Sequence, residues 1–305
     1  MKNELPRKVT LVEVGIRDGL QNESAPVTTE EKIALLSMLT EAGLTRLEAG
    51  SFVSPRWVPQ MADTAAVFAG LPEVNGVTYS ALTPNEKGLE AALAANVKEV
   101  AVFGSASESF SRKNINCSID ESLARFEPVV SKAKAKGLKV RGYVSCVLGC
   151  PYEGYIAPAA TARLASALTA MGCDEISLGD TIGTGTPLAT AAMLEAVKEV
   201  VPLPQLAVHF HNTYGQALAN ILVALQQGVS IIDSAVAGLG GCPYAKGASG
   251  NVATEDVLYM LNGMGIDTGV DMTALLKASR AVSLIINRKA QSKVAAALHS
   301  DEPEL

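Results

Sequence analysis

Hydrophobic residues along the chain occur in short runs, separated by longer stretches in which apolar and polar residues repeat at helical spacing. The first run, at 9–15, is followed by polar residues 16–24 and then by a helical pattern from Thr28 to Ala42. Thr28 or Thr29 can cap the start of this helix, and Gly43 is placed to end it. The opening segment therefore predicts the order strand, loop, helix.

The same order recurs to the end of the chain. Seven further strands are predicted at 46–50, 76–80, 99–103, 138–144, 175–179, 206–211 and 230–236, and amphipathic helical stretches include 86–95, 118–136, 158–171 and 187–201. Strands that alternate with helices require a parallel sheet, and eight such units in roughly 240 residues match a barrel better than a doubly wound sheet. We therefore predict an α/β protein with a (β/α)8 TIM-barrel fold.

Composition supports one catalytic barrel domain over residues 1–305. Of these residues, 48% are hydrophobic and 18% charged, which is typical of a protein with a sizeable buried core. We find no Pro/Ser-rich linker, and we expect residues 271–299 to form additional C-terminal helices outside the barrel. The five cysteines are an odd number scattered through apolar segments, which does not indicate a disulfide framework.

Charge and hydropathy narrow the possible partners. The formal net charge is -6 and no basic run occurs, so we expect no nucleic-acid partner. Residues 1–8 carry charges without an apolar stretch behind them, and no apolar run approaches the roughly 18 residues that span a bilayer. We therefore expect no export signal, no membrane partner and a cytoplasmic location.

Candidate chemistry lies where the predicted strands end, because those ends open onto one shared mouth in a barrel. His209 and His211 end the seventh strand, and two residues apart on a strand they project to the same face. Together with Asp18, which follows the first strand, they could bind a divalent cation. This donor set leaves Mg²⁺, Mn²⁺ and zinc open.

Three more charged residues lie at strand ends. Arg17 can balance the charge of a developing oxyanion, and it can also form a salt bridge to Glu48, which ends the second strand. Glu48, and Asp180 after the sixth strand, either take part in the chemistry or only orient Arg17 and the metal site. The sequence leaves both alternatives open.

A glycine-rich segment at 237–253 follows the eighth strand. We expect it to act as a mobile lid over the barrel mouth, so that the thiol of Cys242 enters the site on closure. Asn251, near the end of the segment, could cap the next helix or bind the metal through its amide oxygen.

These residues resemble those of the 3-hydroxy-3-methylglutaryl-CoA lyase family in the DRE-TIM metallolyase superfamily. The resemblance covers nearly the full length, and its most specific parts are residues 12–15 leading into 17–23, 48–55, 177–183 and the loop around Cys242. Many members have proline where this chain has Ile16. That difference changes the stiffness of a turn and not the chemistry.

The resemblance implies cleavage of 3-hydroxy-3-methylglutaryl-CoA to acetyl-CoA and acetoacetate, as in leucine degradation. It implies that Mg²⁺ or Mn²⁺ is held by four residues: Asp18, His209, His211 and Asn251. It also implies that Arg17 stabilises the enolate oxygen, and that catalysis involves Glu48, Asp180, His209 and Cys242, with the thiol as proton donor to carbon. The family further suggests a homodimer, and the identity of the general base stays open.

Other functions fit part of the same pattern. A Claisen-type synthase of the superfamily shares Arg17, Asp18 and the two histidines, a related lyase would accept a larger group at C3, and a non-catalytic barrel would serve only as a binding scaffold. Arg112, Lys113 and Asn114, after the fourth strand, are candidates for contacts with the polyanionic CoA.

Overall fold

Eight parallel strands close a barrel in the computed structural model, which describes residues 5–242 and 245–298, without the side chains of residues 242 and 245–249. Each strand pairs with its neighbours in sequence, and the first also pairs with the eighth, with Glu13 opposite Ser234. The strands are β1 (Thr10–Glu13), β2 (Arg46–Ser51), β3 (Thr78–Leu82), β4 (Glu99–Ser105), β5 (Lys139–Ser145), β6 (Glu175–Asp180), β7 (Leu206–Phe210) and β8 (Ile231–Ser234). The predicted fold class is confirmed.

Helices surround the barrel and follow the strands in order. They are α1 (Thr29–Glu41), α2 (Thr64–Gly70), α3 (Glu86–Ala94), α4 (Glu108–Ile115), α5 (Ile119–Ala135), α6 (Pro158–Met171), α7 (Pro187–Lys198), α8 (Ala217–Gln226), α9 (Thr254–Gly263), α10 (Met272–Ile285) and α11 (Lys293–Leu298). Across the described ranges, no helix combines the length and apolar character needed to cross a membrane.

Local sequence signals explain where α1 begins and ends. Thr28 caps the helix by accepting a hydrogen bond from the main-chain N–H of Glu31, whose side chain accepts in return from the N–H of Thr28. This reciprocal pair is a capping box. Gly43, just beyond the helix, has φ +99°, a left-handed conformation that favours glycine. The start and end predicted for this helix are confirmed.

The glycine-rich segment after β8 contains more structure than an open loop. Gly241–Cys242 (β9) and Ala245–Ser249 (β10) pair as an antiparallel hairpin. At its base, a Cβ atom on Gly250 would lie 2.8 Å from the carbonyl oxygen of Gly241. Glycine therefore serves a close approach of two backbones here.

Two further boundaries differ from the prediction. β7 ends at Phe210, because His211 instead forms an isolated antiparallel bridge with Asn251. The C-terminal segment is two helices, α10 and α11, separated by 286–292, and α10 packs against α1 on the outside of the barrel. His299, the last residue of the predicted helical segment, lies outside the described residues.

The amino end of the barrel interior contains a network of ion pairs. Arg46 lies 2.7 Å from Oε2 of Glu175 and 3.0 Å from Oε1 of Glu99. Nε of Arg141 lies 2.7 Å from Oε1 of the same Glu175. Arg141 is 2% exposed and Glu99 5% exposed, so each charge depends on its neighbours for compensation. The network leads from the amino end of the barrel toward the mouth.

Candidate active site

A single π-helical turn, Gly15–Gly19, directs Arg17 and Asp18 toward the barrel mouth directly after β1. Such turns are rare and are frequently found at functional sites. A Cβ atom on Gly15 would lie 2.5 Å from Oε1 of Glu13, so a larger residue there would displace this carboxylate. Oε1 of Glu13 accepts hydrogen bonds from the main-chain N–H groups of Gly15 at 2.8 Å and of Val236 at 2.9 Å. Glu13 thereby fixes the turn to the segment that follows β8.

Arg17 joins two carboxylates in the mouth. Its Nε and Nη2 atoms both lie 2.6 Å from Oε2 of Glu48, and its Nη1 donates to Oδ1 of Asp18 at 2.7 Å. The salt bridge to Glu48 considered from the sequence is therefore present. Burial raises the pKa of Glu48, although the charge of Arg17 opposes this effect. Because Arg17 is held from two sides, its guanidinium has a fixed orientation toward the mouth.

Asp18, His209 and His211 converge on one point. Their candidate ligand atoms all lie within 4.8 Å of one another, with the two Nε2 atoms 3.3 Å apart and Nε2 of His209 3.8 Å from Oδ2 of Asp18. Burial and the neighbouring His209 lower the pKa of His211 to about 4, so its imidazole is neutral at pH 7. A neutral imidazole has a lone pair for a metal ion. Within the described ranges, this is the one cluster of His, Cys, Asp and Glu with such spacing.

The acidic member of this cluster is ionised. Burial favours the protonated form of Asp18, but the charge of Arg17 outweighs it and holds the pKa of this carboxyl well below its usual range. A carboxylate and two imidazoles form a donor set that suits several divalent cations.

Asn251 contacts this cluster through Asp18. Its Nδ2 donates to Oδ2 of Asp18 at 2.8 Å and to the carbonyl oxygen of Leu239 at 3.2 Å. The cap of α9 is Ala253, which has no side-chain hydrogen bond to the helix, so the helix-capping alternative for Asn251 is wrong. The two ends of an amide fill the same space, and a metal ligand would offer the oxygen in place of the nitrogen.

Asp233, which the sequence prediction did not include, contacts His209 from behind. Its Oδ2 lies 3.1 Å from Nδ1 of His209, and the two residues are opposite each other on β8 and β7. Burial would raise the pKa of Asp233, but the charge of Arg141 outweighs it and lowers the pKa to about 2. The sequence contains one signal that could have identified Asp233: it is an acidic residue within an apolar strand, and a buried carboxylate needs a partner.

Asp180 pairs with Phe210 at the end of β6, and its carboxylate is held by the turn that follows this strand. Oδ2 accepts from the main-chain N–H of Gly185 at 2.8 Å, and Oδ1 is buried without a hydrogen-bond partner among the described residues. Burial raises the pKa of Asp180 to about 6. Its carbonyl oxygen accepts from the N–H of His211 at 3.4 Å. The geometry therefore places Asp180 where it supports the turn beside His211.

A cavity of about 1230 Å³ opens above these residues. Its wall includes Asp18, His209, His211 and Arg17. It also includes Trp57, Lys113, Asn114 and Arg125. Lys113 and Asn114, considered for CoA contacts, therefore line the cavity. Arg112 does not line it; its Nη2 forms an ion pair of 2.8 Å with Glu108. Arg125 is a cation of this wall that the sequence prediction missed.

The hairpin that contains Cys242 is fixed at both ends of its base. The main-chain N–H of Gly240 donates to Oε1 of Glu23 at 3.3 Å, and the same oxygen lies 2.8 Å from Nη2 of Arg288. On the other side, the N–H of Asn212 donates to the carbonyl oxygen of Gly250 at 2.7 Å. Gly241, the residue before Cys242, lines the cavity. The side chain of Cys242 lies outside the described part of the structure.

Comparison with known proteins agrees with this site. The HMGL-like family matches residues 8–282. The chain is 62% identical over 96% of its length to the mitochondrial hydroxymethylglutaryl-CoA lyase of Bos taurus, and covers 90% of that protein. It is 59% identical over 96% of its length to a 3-hydroxy-3-isohexenylglutaryl-CoA/hydroxymethylglutaryl-CoA lyase of Pseudomonas aeruginosa, and covers 98% of it. A crystal structure of hydroxymethylglutaryl-CoA lyase from Pseudomonas aeruginosa superimposes with a TM-score of 0.95 at 59% identity, covering 96% of this chain and 98% of that one. The resemblance seen in the sequence is confirmed, and the chain belongs to the HMGL-like family.

Proposed function

We propose that this protein is a divalent-metal-dependent carbon-carbon lyase that cleaves 3-hydroxy-3-methylglutaryl-CoA to acetyl-CoA and acetoacetate. The observation that carries the proposal is the convergence of Asp18, His209 and His211 beside Arg17 in the cavity. The high identity to relatives named for this activity supports the choice of substrate.

The residues present fit a divalent cation. The Nε2 atoms of His209 and His211 lie 3.3 Å apart, next to the anionic Asp18, and these three residues would hold the cation. Asn251 would add its amide oxygen. When bound there, Mg²⁺ or Mn²⁺ would polarise the hydroxyl and carboxylate oxygens of the substrate.

Arg17 would stabilise the charge that develops during cleavage. The hydroxyl on C3 gives its proton to a general base, and its oxygen becomes the ketone oxygen of acetoacetate as the C2–C3 bond breaks. The electron pair of that bond moves into the thioester, where the enolate oxygen becomes negative. A fixed guanidinium stabilises this oxygen without reorganisation. Glu48 holds Arg17 through two short contacts, 2.6 Å each, and we assign it this orienting role. Asp180 would keep the turn at 180–185 in place next to His211.

Cys242 would supply the proton that the acetyl carbon needs. We propose that the hairpin of β9 and β10 moves about its base, so that it closes over bound substrate and excludes water. The position of Gly241 in the lining of the cavity supports this proposal, because it directly precedes Cys242. A closed cavity also protects the enolate from protonation by solvent.

A related substrate is a second candidate. Apolar side chains of Leu82, Phe103 and Phe110 line the same cavity, and one relative is named for both the methyl and the isohexenyl substrates. These side chains could contact a longer alkyl group at C3. Comparing kcat/KM for 3-hydroxy-3-methylglutaryl-CoA and a 3-hydroxy-3-isohexenylglutaryl-CoA substrate would decide which is preferred.

The direct test is an assay for acetoacetate release from 3-hydroxy-3-methylglutaryl-CoA after reconstitution with Mg²⁺ or Mn²⁺. We expect release with metal and its loss after chelation. No release with either cation contradicts the proposal, and condensation of acetyl-CoA with a 2-oxo acid instead would favour the synthase alternative. The homodimer and the cytoplasmic location stay predictions, of which the first can be checked by light scattering.

A further inference from the structure

We propose that Asp233 is a positioning residue, which determines that Nε2 of His209 carries the lone pair facing the metal site. This inference rests on the proposed metal-dependent function. It concerns a residue that neither touches the proposed cation nor lines the described cavity, and it follows from the hydrogen bonds behind the imidazole.

Asp233 contacts His209 directly across two neighbouring strands. The two residues are Cα partners in the β7–β8 pair, and Oδ2 lies 3.1 Å from Nδ1 of the ring. Asp233 is 1% exposed, so water does not compete for this carboxylate. The opposite ring nitrogen, Nε2, is the one that lies 3.8 Å from Oδ2 of Asp18.

Two other groups hold the carboxylate in place. Nη2 of Arg141 donates to Oδ1 at 2.6 Å, and the hydroxyl of Ser177 donates to Oδ2 at 2.9 Å. A guanidinium can only donate, and an ionised carboxylate can only accept. The proton between Asp233 and His209 therefore belongs to Nδ1 of the imidazole. An imidazole that binds a metal has one N–H group, and with that group at Nδ1 the lone pair is at Nε2.

The second histidine has no comparable support. Nδ1 of His211 is buried and has no hydrogen-bond partner among the described residues. Only His209 is therefore oriented by a carboxylate from behind. Such partners fix the ring and increase its basicity as a metal ligand. The difference makes the metal affinity of the whole cluster depend on Asp233.

An asparagine at position 233 would reverse this arrangement at nearly constant volume. The amide oxygen must face Arg141, because Nη2 cannot accept a hydrogen bond. The amide NH₂ then faces His209, whose Nδ1 must become the acceptor. The ring proton moves to Nε2, where it blocks the lone pair needed by a metal. Ser177→Ala removes one hydrogen bond to the same carboxylate without changing this polarity, and is the matched control.

The first experiment measures Mn²⁺ affinity by electron paramagnetic resonance for the full-length wild-type protein, Asp233→Asn and Ser177→Ala at one pH. We expect Asp233→Asn to weaken Mn²⁺ binding by about 10- to 100-fold, with Ser177→Ala close to wild type. Equal affinities for wild type and Asp233→Asn would overturn the inference. Thermal melting of each variant shows whether it is folded.

The second experiment needs no variant of Asp233. Nitrogen-15 NMR of the metal-free wild type, labelled at its 3 histidines, reports which nitrogen of each ring is protonated. We expect the Nδ1–H form for His209, and the Nε2–H form would overturn the inference. If the wild type binds no Mn²⁺, the proposed metal dependence fails, while this spectrum still decides the role of Asp233.

Discussion

Arg17 and Glu48 are joined at two points, because Nε and Nη2 of the guanidinium both lie 2.6 Å from Oε2 of the carboxylate. The remaining nitrogen, Nη1, reaches Asp18 at 2.7 Å. Glu48 is 1% exposed and Arg17 6% exposed. Arg17, the residue proposed to stabilise the enolate oxygen, is therefore linked both to Glu48 and to a proposed metal ligand. Its loss should change two quantities that can be measured separately, the free energy of unfolding and the turnover rate.

Removing Arg17 should affect both stability and turnover. We expect Arg17→Met to lower the free energy of unfolding by about 3–5 kcal/mol, because Glu48 is left as an unpaired buried charge. Turnover should fall by about 10²–10³-fold for loss of an oxyanion donor. In the double variant Arg17→Met/Glu48→Gln, stability should largely return while turnover stays low. Urea unfolding and acetoacetate release check the two effects, and recovery of turnover in the double variant would contradict the role of Arg17.

His211 should matter more for the metal than for the fold. We expect His211→Ala to weaken Mn²⁺ binding by at least about 10-fold, since one of three convergent donors is lost. The melting temperature of the metal-free protein should change little by comparison. Isothermal titration with Mn²⁺ measures the affinity, with His299→Ala as the control for loss of a histidine elsewhere. A titration curve of His211→Ala that matches wild type would refute the ligand assignment.

Cys242 should be required for proton transfer and not for binding. We expect Cys242→Ser to keep metal and substrate affinity near wild type, while kcat falls by about 10²–10⁴-fold, the range of general acid catalysis. Cys117→Ala, which changes a buried cysteine far along the chain, is the control. Single-turnover kinetics separate the chemical step from binding, and an unchanged kcat would leave Cys242 without a catalytic role.

The stability of the protein should depend on the protonation of Glu13. Burial raises the pKa of this carboxyl from 4.5 to about 7, so the folded state favours the protonated form. Its contribution to stability is therefore fully present below pH 4.5 and is lost as the pH rises through about 7. Glutamine imitates the protonated side chain. We therefore compare the free energy of unfolding of the wild type with that of Glu13→Gln. The difference, wild type minus variant, should fall by about 3 kcal/mol between pH 4.5 and about 7, at about 1.4 kcal/mol per pKa unit.

Chemical denaturation at several pH values measures this difference. Because Glu255 is also buried with its pKa raised to about 7, the comparison must use the difference between the two proteins and not the wild-type curve alone. A difference that stays constant, or that grows as the pH rises, would show that Glu13 is already ionised in the folded protein.

The sequence predicts those parts of the fold and site that depend on local pattern. All eight strands were predicted. Their carboxyl ends identify Asp18, His209 and His211, because the carboxyl ends of all strands in a barrel face the same mouth. The capping box of α1 depends on Thr28 and Glu31 alone, which are three positions apart. Signals of this kind need no knowledge of distant partners.

Asp233 and the hairpin after β8 were recognised only in the folded structure. Arg141 is 92 positions from Asp233, and the pattern of β5 does not indicate which strand on the far side of the barrel supplies its partner. The pairing of β9 with β10 was not predicted, because composition alone does not distinguish an open loop from a close approach of two backbones.

The hydrogen bond from Asn251 to Asp18 spans 233 positions of sequence and crosses the seam where β8 meets β1. During synthesis the β8 side of β1 therefore stays unpaired until β8 has left the ribosome, and pairings of such long range form slowly. A nascent chain that has reached α8 already holds Asp18 and both histidines but not the strand that brings them together. The proposed metal site is therefore incomplete in every partly synthesised chain and forms only when the barrel closes.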